Sequence, residues 1–413
     1  MSSQQGAVVV ISGIGRFAPP SDPALPDFPG RIDVAWADAL SLIETTTPAA
    51  VVVVVTPEVT AQLEVLATRI AALQPYVPLI AIGIEPPCPD NVLPFALGGH
   101  AANRLEARLL AALRIRSLHS TVMRRFVGRP VPLPETDPLQ DASVLLMGRG
   151  ACFPALSVAL GVQLGVVGAL SVDAAAKHLN VREVDGIVIG DGFTSRVIDG
   201  FLGVLGDDPR FRNLPVVVSP DTVTDDAHYT LPYLEFATGE ARSITARATP
   251  LIRLHALEAR LIRLLKVAEA NGMLDPRTGL LTIAAFERDL AAAVDEAKAR
   301  RTSLSLMRLV VEASRQREQI DAARIVGRLM RRSDFAVLCG DGAIVVAFTG
   351  TDGNSVQRIA ERLASVLRYS VLSTSPNQRT EVRVATATLQ PADTAATLMA
   401  RIRPGSAATR AAS

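Results

Sequence analysis

The chain is poor in the residues from which most catalytic and metal sites are built. Its 413 residues include three cysteines and five histidines. Cys88, Cys152 and Cys339 stand apart, without C-x-x-C spacing or histidines at ligand intervals, which excludes a disulfide framework and a zinc site. His100 and His255 sit among arginines on or beside helical segments, the setting of solvated histidines. Charge of one sign is lacking too, since 42 Lys and Arg against 41 Asp and Glu leave a net charge of +1. That balance excludes bulk attraction to nucleic acid or an anionic membrane. Neither a nucleophile triad nor a G-x-x-x-x-G-K-[ST] phosphate loop is present. The first residues, M-S-S-Q-Q-G, carry no basic region, and the apolar run at 7–11 is too short for a signal peptide, so a cytoplasmic protein is expected. One uncharged stretch, residues 151–172, approaches bilayer length. Pro154 and three glycines interrupt it and no aromatic or basic flank anchors both ends, so it is expected as a buried helix.

What is present is a regular alternation. Strand-like runs at 8–11, 32–35, 51–55 and 77–82 alternate with helical patterns at 37–44, 61–73 and 105–118, as in a parallel sheet covered on both faces. A second cycle has strand-like runs at 143–147, 184–189 and 214–218 and ends in a helix from Leu251. Between the cycles P-V-P-L-P-E-T-D-P (130–138) reads as a stiff linker. The length allows about two to four domains. The expected divisions are 1–126, a linker at 127–140, 141–250, a helical connection at 251–272, 273–403, and a disordered tail at 404–413. In the helical connection Leu254, Leu257, Leu261 and Leu264 recur at alternating spacings of three and four, a seam suited to a homodimer or to docking on its own sheet.

The stretch R-R-S-D-F-A-V-L-C-G-D-G-A-I-V-V-A-F-T-G-T-D (331–352) resembles the signature hairpin of GGDEF (diguanylate cyclase) domains. Asp334 and Gly340 keep the family's spacing between an Arg-x-x-Asp pair and its Gly-Gly-Asp/Glu-Glu-Phe turn, yet Gly342 and Ala343 replace two acids of that turn. Magnesium takes oxygen ligands, which neither replacement offers. Upstream, D-P-R-T-G-L-L-T-I-A-A-F (275–286) resembles the family opening, with Thr282 in place of the guanine-reading Asn and Ile283 in place of an Arg. L-S-L-M-R-L-V-V-E (304–312) resembles its first core strand, with Val310 where the family has a metal-binding Asp. The loop that should then enclose the nucleotide is largely missing between 312 and 325.

The run V-D-G-I-V-I-G-D-G (184–192), with I-D-G-F and D-D-P-R-F-R-N-L-P-V-V-V-S-P beyond it, resembles a receiver domain. The order receiver, receiver, GGDEF is that of PleD-type response regulators. The resemblance implies an α/β chain: two doubly wound, flavodoxin-like receivers and a nucleotidyl-cyclase-like, ferredoxin-like α+β domain. Receivers phosphorylate an Asp with magnesium held by nearby acids and a Lys following the fifth strand. In the first domain Ser12-Gly13-Ile14, Val54-Val55-Thr56 and Gly98-Gly99-His100 occupy those places, with no acid or Lys. In the second, Gly190 aligns with the acceptor and Asp191 is adjacent, while Gly148-Arg149-Gly150 offers no acid pair. Asp191 is therefore a candidate phosphoacceptor without a metal cluster, or a solvated loop residue.

The resemblance also implies an allosteric site for cyclic di-GMP at Arg331 and Asp334, completed by Arg362 from the following helix. Guanidinium forks suit guanine O6/N7 and phosphate, and Asp accepts from guanine N1 and N2. The same spacing is met by a surface ion pair worth about 0–1 kcal/mol. Asp341, beside Gly340 and Gly342, reads as a turn residue. The expectation is a catalytically inactive regulator that binds cyclic di-GMP and a sensor kinase or other signalling protein. No cofactor is expected, and magnesium would serve only residual activity. The alternatives are a ligand-free dimeric scaffold and a residual or heterodimeric cyclase.

Overall fold

The computed structural model describes residues 6–13, 28, 30–96, 101–127, 136–219, 229, 231–312, 316–369, 381–403 and 409–410. The triplet at 98–100, Ile14, the linker residues 128–135 and most of 404–413 lie outside the described residues. No described helix is long and apolar enough to cross a membrane.

The first sheet is built from β1 (Val8–Ile11), β2 (Arg31–Val34), β3 (Ala50–Val54), β4 (Leu79–Ile82) and β5 (Val92–Phe95). Helices α1 (Trp36–Thr46), α2 (Thr60–Ala71) and α3 (Ala101–Arg125) join or follow them. Its strands are all parallel in the order β2-β1-β3-β4-β5. The central β1, β3 and β4 are short aliphatic runs buried along nearly their whole length, the character of parallel strands covered on both faces. β5, V-L-P-F, is the late strand expected before the triplet at 98–100. Its Pro94 lacks an amide donor and is tolerated because β5 is an edge.

The second sheet repeats that winding with β6 (Ser143–Met147), α4 (Cys152–Gly161), β7 (Gly165–Ala169), α5 (Val172–Val181), β8 (Gly186–Ile189), α6 (Ser195–Asp207), β9 (Val216–Val218) and β10 (Leu234–Phe236). Its order is β10-β9-β8-β6-β7, again all parallel. The helix α7 (Ala241–Ala268) follows. Here the expected buried helix at 151–172 is corrected. α4 stops at Gly161, and Gly165, Val166 and Val167 then extend as the edge strand β7, where β-branched residues fit better than in a helix. Much of the segment is exposed, with Val158 at 72%, Val162 at 79% and Leu170 at 61%.

α7 also departs from the expected boundary at 250/251, because it runs unbroken through Pro250. A proline inside a helix costs about 3 kcal/mol, and burial of Ile244, Ala248, Ile252 and Ala256 on one stripe offsets it. The seam is not an open stripe, since Leu254 and Leu261 are buried and Leu257 and Leu264 half-buried within the single chain.

The third sheet is antiparallel. After α8 (Ile283–Arg300) come β11 (Leu304–Val311), α9 (Gln316–Leu329), β12 (Phe335–Leu338), β13 (Ile344–Thr349), α10 (Gly353–Tyr369) and β14 (Val382–Thr388). α11 (Ala395–Ala400) and the short β15 (Thr409–Arg410) close the chain. The order is β12-β13-β11-β14-β15, so its first four strands make a βαββαβ ferredoxin-like unit. β15 pairs with Val384 and Ala385, so part of the expected tail is a strand.

The chain divides into two compact units. One comprises Val8–Arg116 and Leu133–Ile262, holding both parallel sheets, and the other Ser117–Pro132 and Arg263–Ser413 with Met1–Ala7. In the unit of parallel sheets, Arg108 of α3 is fully buried between the two edge strands. It donates to the carbonyls of Pro94 at 2.8 Å, Pro232 at 3.0 Å and Leu234 at 3.1 Å. Its Nη1 also meets Glu235 at 2.6 Å, and Arg247 of α7 faces the other oxygen of that carboxylate at 3.5 Å. The open edges that parallel sheets would otherwise present are thereby joined through one guanidinium.

Removing one member of a buried ion pair costs about 3–5 kcal/mol. Arg108→Met, which retains the stem and removes the charge, is expected to lower stability by about that amount. Urea unfolding followed by circular dichroism reads the loss as a lower first midpoint, and an unchanged midpoint would contradict the role given to Arg108.

Candidate functional site

The hairpin between β12 and β13 shows why its turn carries so few acids. Gly342 donates to Cys339 O at 3.0 Å and Cys339 to Ala343 O at 2.8 Å, closing a tight connection over 340–342. Gly342 takes φ +79°, the left-handed residue such three-residue loops require. A side chain at 342 would also begin 2.5 Å from Nε2 of Gln319 on α9. The left-handed backbone disfavours a side chain there, and one would require Gln319 to move, while Ala343 is fully buried.

Asp341 does serve as a turn residue. Its Oδ1 accepts from the Ala343 amide at 3.1 Å, and its Oδ2 meets Arg308 of β11 at 2.6 Å. Burial pushes its carboxyl up, but the Ala343 amide and Arg308 outweigh this and hold it below the usual carboxylate range. Val310 lies two residues along β11 from Arg308 and so shares its face. Thr282 caps α8, its hydroxyl accepting from the Ala285 amide at 3.4 Å. Only four residues, 312–315, separate β11 from α9. Among the described residues no cluster of three or more His, Cys, Asp or Glu side chains stands ready for a metal ion.

On the opposite flank of β12, the segment between α9 and that strand carries Arg331 to Asp334. Asp334 N donates to Arg331 O at 3.1 Å, which folds the motif into a turn and brings the two residues together. Arg331 and Arg332 are exposed, while Asp334 is only 8% exposed. Burial raises the Asp334 carboxyl to about 6, against the attraction of Arg331, two backbone amides and Arg124. Arg362 is exposed on α10, whose opposite stripe of Val356, Ala360, Leu363, Ala364 and Leu367 is buried. α10 lies over β11 and β14, whereas Asp334 precedes β12 at the sheet edge. Two strand spacings, about 10 Å, separate β12 from β11. Arg331 and Asp334 thus share one turn, while Arg362 stands on a helix over other strands of the sheet.

One participant left no motif in the sequence. Arg124, at the end of α3, donates from Nη2 to Ser333 O at 3.1 Å, and its guanidinium lies 4.8 Å from the Phe335 ring centre. A helix tail distant in sequence carries no local signal of where it docks. Its position two residues from the expected end of the first domain was the only hint.

In the second parallel sheet Asp191 follows β8 and its carboxylate lies at the start of α4, where Oδ2 accepts from the Cys152 amide at 3.3 Å. Gly150 makes this possible, since a Cβ there would overlap the carboxylate. Asp191 is half-buried, and its Oδ1 is buried without a hydrogen bond. The β6–α4 turn thus lies against one side of this loop residue.

No protein-family model and no curated protein matches the chain. Among solved structures it is similar to the coiled coil and GGDEF domain of DgcB from Caulobacter crescentus in complex with c-di-GMP. That likeness has 19% identity over 35% of this chain and 83% of the other, with a TM-score of 0.30. It is also similar to a sensory box/GGDEF family protein from the same species, at 24% identity over 32% and 92% of the two chains and a TM-score of 0.29. A third is diguanylate cyclase SiaD in complex with its activator SiaC from Pseudomonas aeruginosa, at 18% identity over 35% and 60%, with a TM-score of 0.31.

A carboxyl whose pKa is raised on folding binds its proton more tightly in the native state, so stability falls as pH rises through the interval from the unfolded to the folded pKa. For Asp334 that interval runs from 3.8 to about 6. Asp334→Asn is expected to flatten this part of the profile, by at most roughly 3 kcal/mol. Denaturant midpoints at pH 4.5, 5.5 and 6.5 would check it, and parallel profiles for the two proteins would count against a buried, perturbed Asp334.

Proposed function

We propose that this chain is a receiver, receiver, GGDEF regulator that binds cyclic di-GMP at Arg331, Asp334 and Arg362 and does not synthesise it. The observation that carries the reading is the contrast between the two flanks of β12. One keeps the Arg-x-x-Asp motif in a turn, with Arg331 exposed beside Asp334. The other places glycine in a left-handed conformation at 342 and a buried alanine at 343. Only four residues connect β11 to α9, and the Thr282 hydroxyl is engaged in a helix cap.

The receiver assignment is supported by two sheets that share the 2-1-3-4-5 winding of receiver-type doubly wound folds. Asp191, one residue beyond the aligned Gly190 and beside the β6–α4 turn, is the candidate phosphoacceptor. Without neighbouring acids to hold magnesium, the charge developed in phosphoryl transfer has little to stabilise it. The chemistry retained at Arg331 and Asp334 is recognition. Guanidinium and carboxylate together match the Hoogsteen and Watson–Crick edges of guanine, and Arg362 offers charge for a phosphate.

A second reading, a protein-interaction scaffold without ligand, is favoured by the exposed Val158, Val162 and Leu170 around α4 and β7.

Calorimetric titration of the full chain with cyclic di-GMP separates the two readings. Binding at micromolar Kd or tighter, weakened at least tenfold by Arg331→Ala, is expected. Absence of heat in the wild type would leave the scaffold. Incubation with GTP and magnesium is expected to give no cyclic di-GMP by chromatography, and measurable product would overturn the claim of inactivity.

A further inference from the structure

Asp334 presents a difficulty for any ligand. The carboxylate expected to accept from guanine is 8% exposed, and its chain neighbours Ser333 and Phe335 are contacted by Arg124 from a remote part of the sequence. Residues 117–126, the end of α3 with Phe126, are fastened to the third sheet and α8 at several points. Arg124 donates to Ser333 O at 3.1 Å and stacks on Phe335. Arg125 pairs with the fully buried Asp289 of α8 and also faces Phe335, at 5.7 Å. Ser120 donates to Glu296, and Arg124 faces the same Glu296 at 3.8 Å.

The fastening is ionic but incompletely hydrogen-bonded. Arg124 Nε, Arg125 Nε and both Asp289 oxygens are buried and make no hydrogen bond. Taking those charges out of water offsets part of their mutual attraction. Its chemistry also duplicates that of the ligand. A guanidinium fork and the N1–H/N2–H edge of guanine are both planar pairs of donors suited to a carboxylate, and Arg124 directs its donors at Ser333 and its charge at Asp334.

We propose that residues 117–126 form a displaceable strap over the Arg331–Asp334 site, with Arg124 occupying the ground that a guanine must take. This rests on the cyclic di-GMP reading and adds its regulation. Ligand binding and release of the strap are then one equilibrium, and the apparent affinity is reduced by the fraction of molecules with the strap open.

The test uses the full chain, with cyclic di-GMP as the probe. Calorimetry compares the wild type with Arg124→Lys, which keeps the charge but loses the planar fork and the stacking face. Amide hydrogen exchange of 117–126 in the wild type is followed with and without saturating ligand. The strap predicts about tenfold tighter binding by Arg124→Lys and faster exchange of 117–126 when ligand is bound. Equal affinities with unchanged exchange would overturn the strap and leave the receptor reading standing. No binding by either protein would overturn the receptor reading, and the strap as its gate with it. Should Arg124→Lys fail to fold, the wild-type exchange decides alone, because amides at 117–126 that stay equally protected in the bound protein exclude displacement.

Discussion

Helix α3 carries buried arginines into each of the two compact units, and the burial of those charges constrains much of what surrounds them. In one unit Arg108 satisfies carbonyls of both parallel-sheet edges and the carboxylate of Glu235. In the other, Arg124 and Arg125 meet Asp289, Glu296 and the backbone of Ser333. A guanidinium taken out of water needs partners on several sides. Elements distant in sequence must therefore converge on it, and their relative placement within each unit is fixed by that requirement as much as by apolar contact.

The two ends of β12 differ in how far their side chains are paired within the chain. A left-handed glycine, an Asp that satisfies its own turn and an Arg on the neighbouring strand make a closed, internally paired tip. Once Asp341 is engaged by the Ala343 amide and Arg308, its oxygens serve the fold. Gln319 fills the space that a longer side chain at 342 would claim. At the other end of the same strand Arg331 and Arg332 are exposed. Asp334 is different, since its burial makes it responsive to whatever covers it.

Legibility of the fold followed the strength of periodic signals. Aliphatic runs such as Val51–Val53 announced central parallel strands, and the spacing from Asp334 to Gly340 announced the hairpin. The edge strands were harder to read. β5 contains a proline, β7 is glycine-rich, and β10 has three residues, so none shows the continuous aliphatic pattern of a doubly covered strand. The uncharged stretch at 151–172 read as one helix because composition does not reveal a turn, and Gly161 and Gly165 proved to be the bounds of that turn. α7 ran through Pro250 because apolar burial on both sides outweighed a local penalty.

The sequence by itself determined the kinds of elements, the alternation that makes two sheets parallel, the Arg-x-x-Asp spacing at Arg331 and Asp334, and the lack of side-chain oxygens at Val310, Gly342 and Ala343. These are local properties, carried by a few neighbouring residues and by the periods of strand and helix. Only the tertiary structure decided that Asp334 is buried, that Asp191 lies against a turn built on Gly150, that the leucine seam of α7 is partly covered, and that Arg108 and Arg124 serve different units. Burial and charge pairing depend on which distant segments arrive at the same place. Neither composition nor spacing records that, because a buried arginine and an exposed one are the same letter.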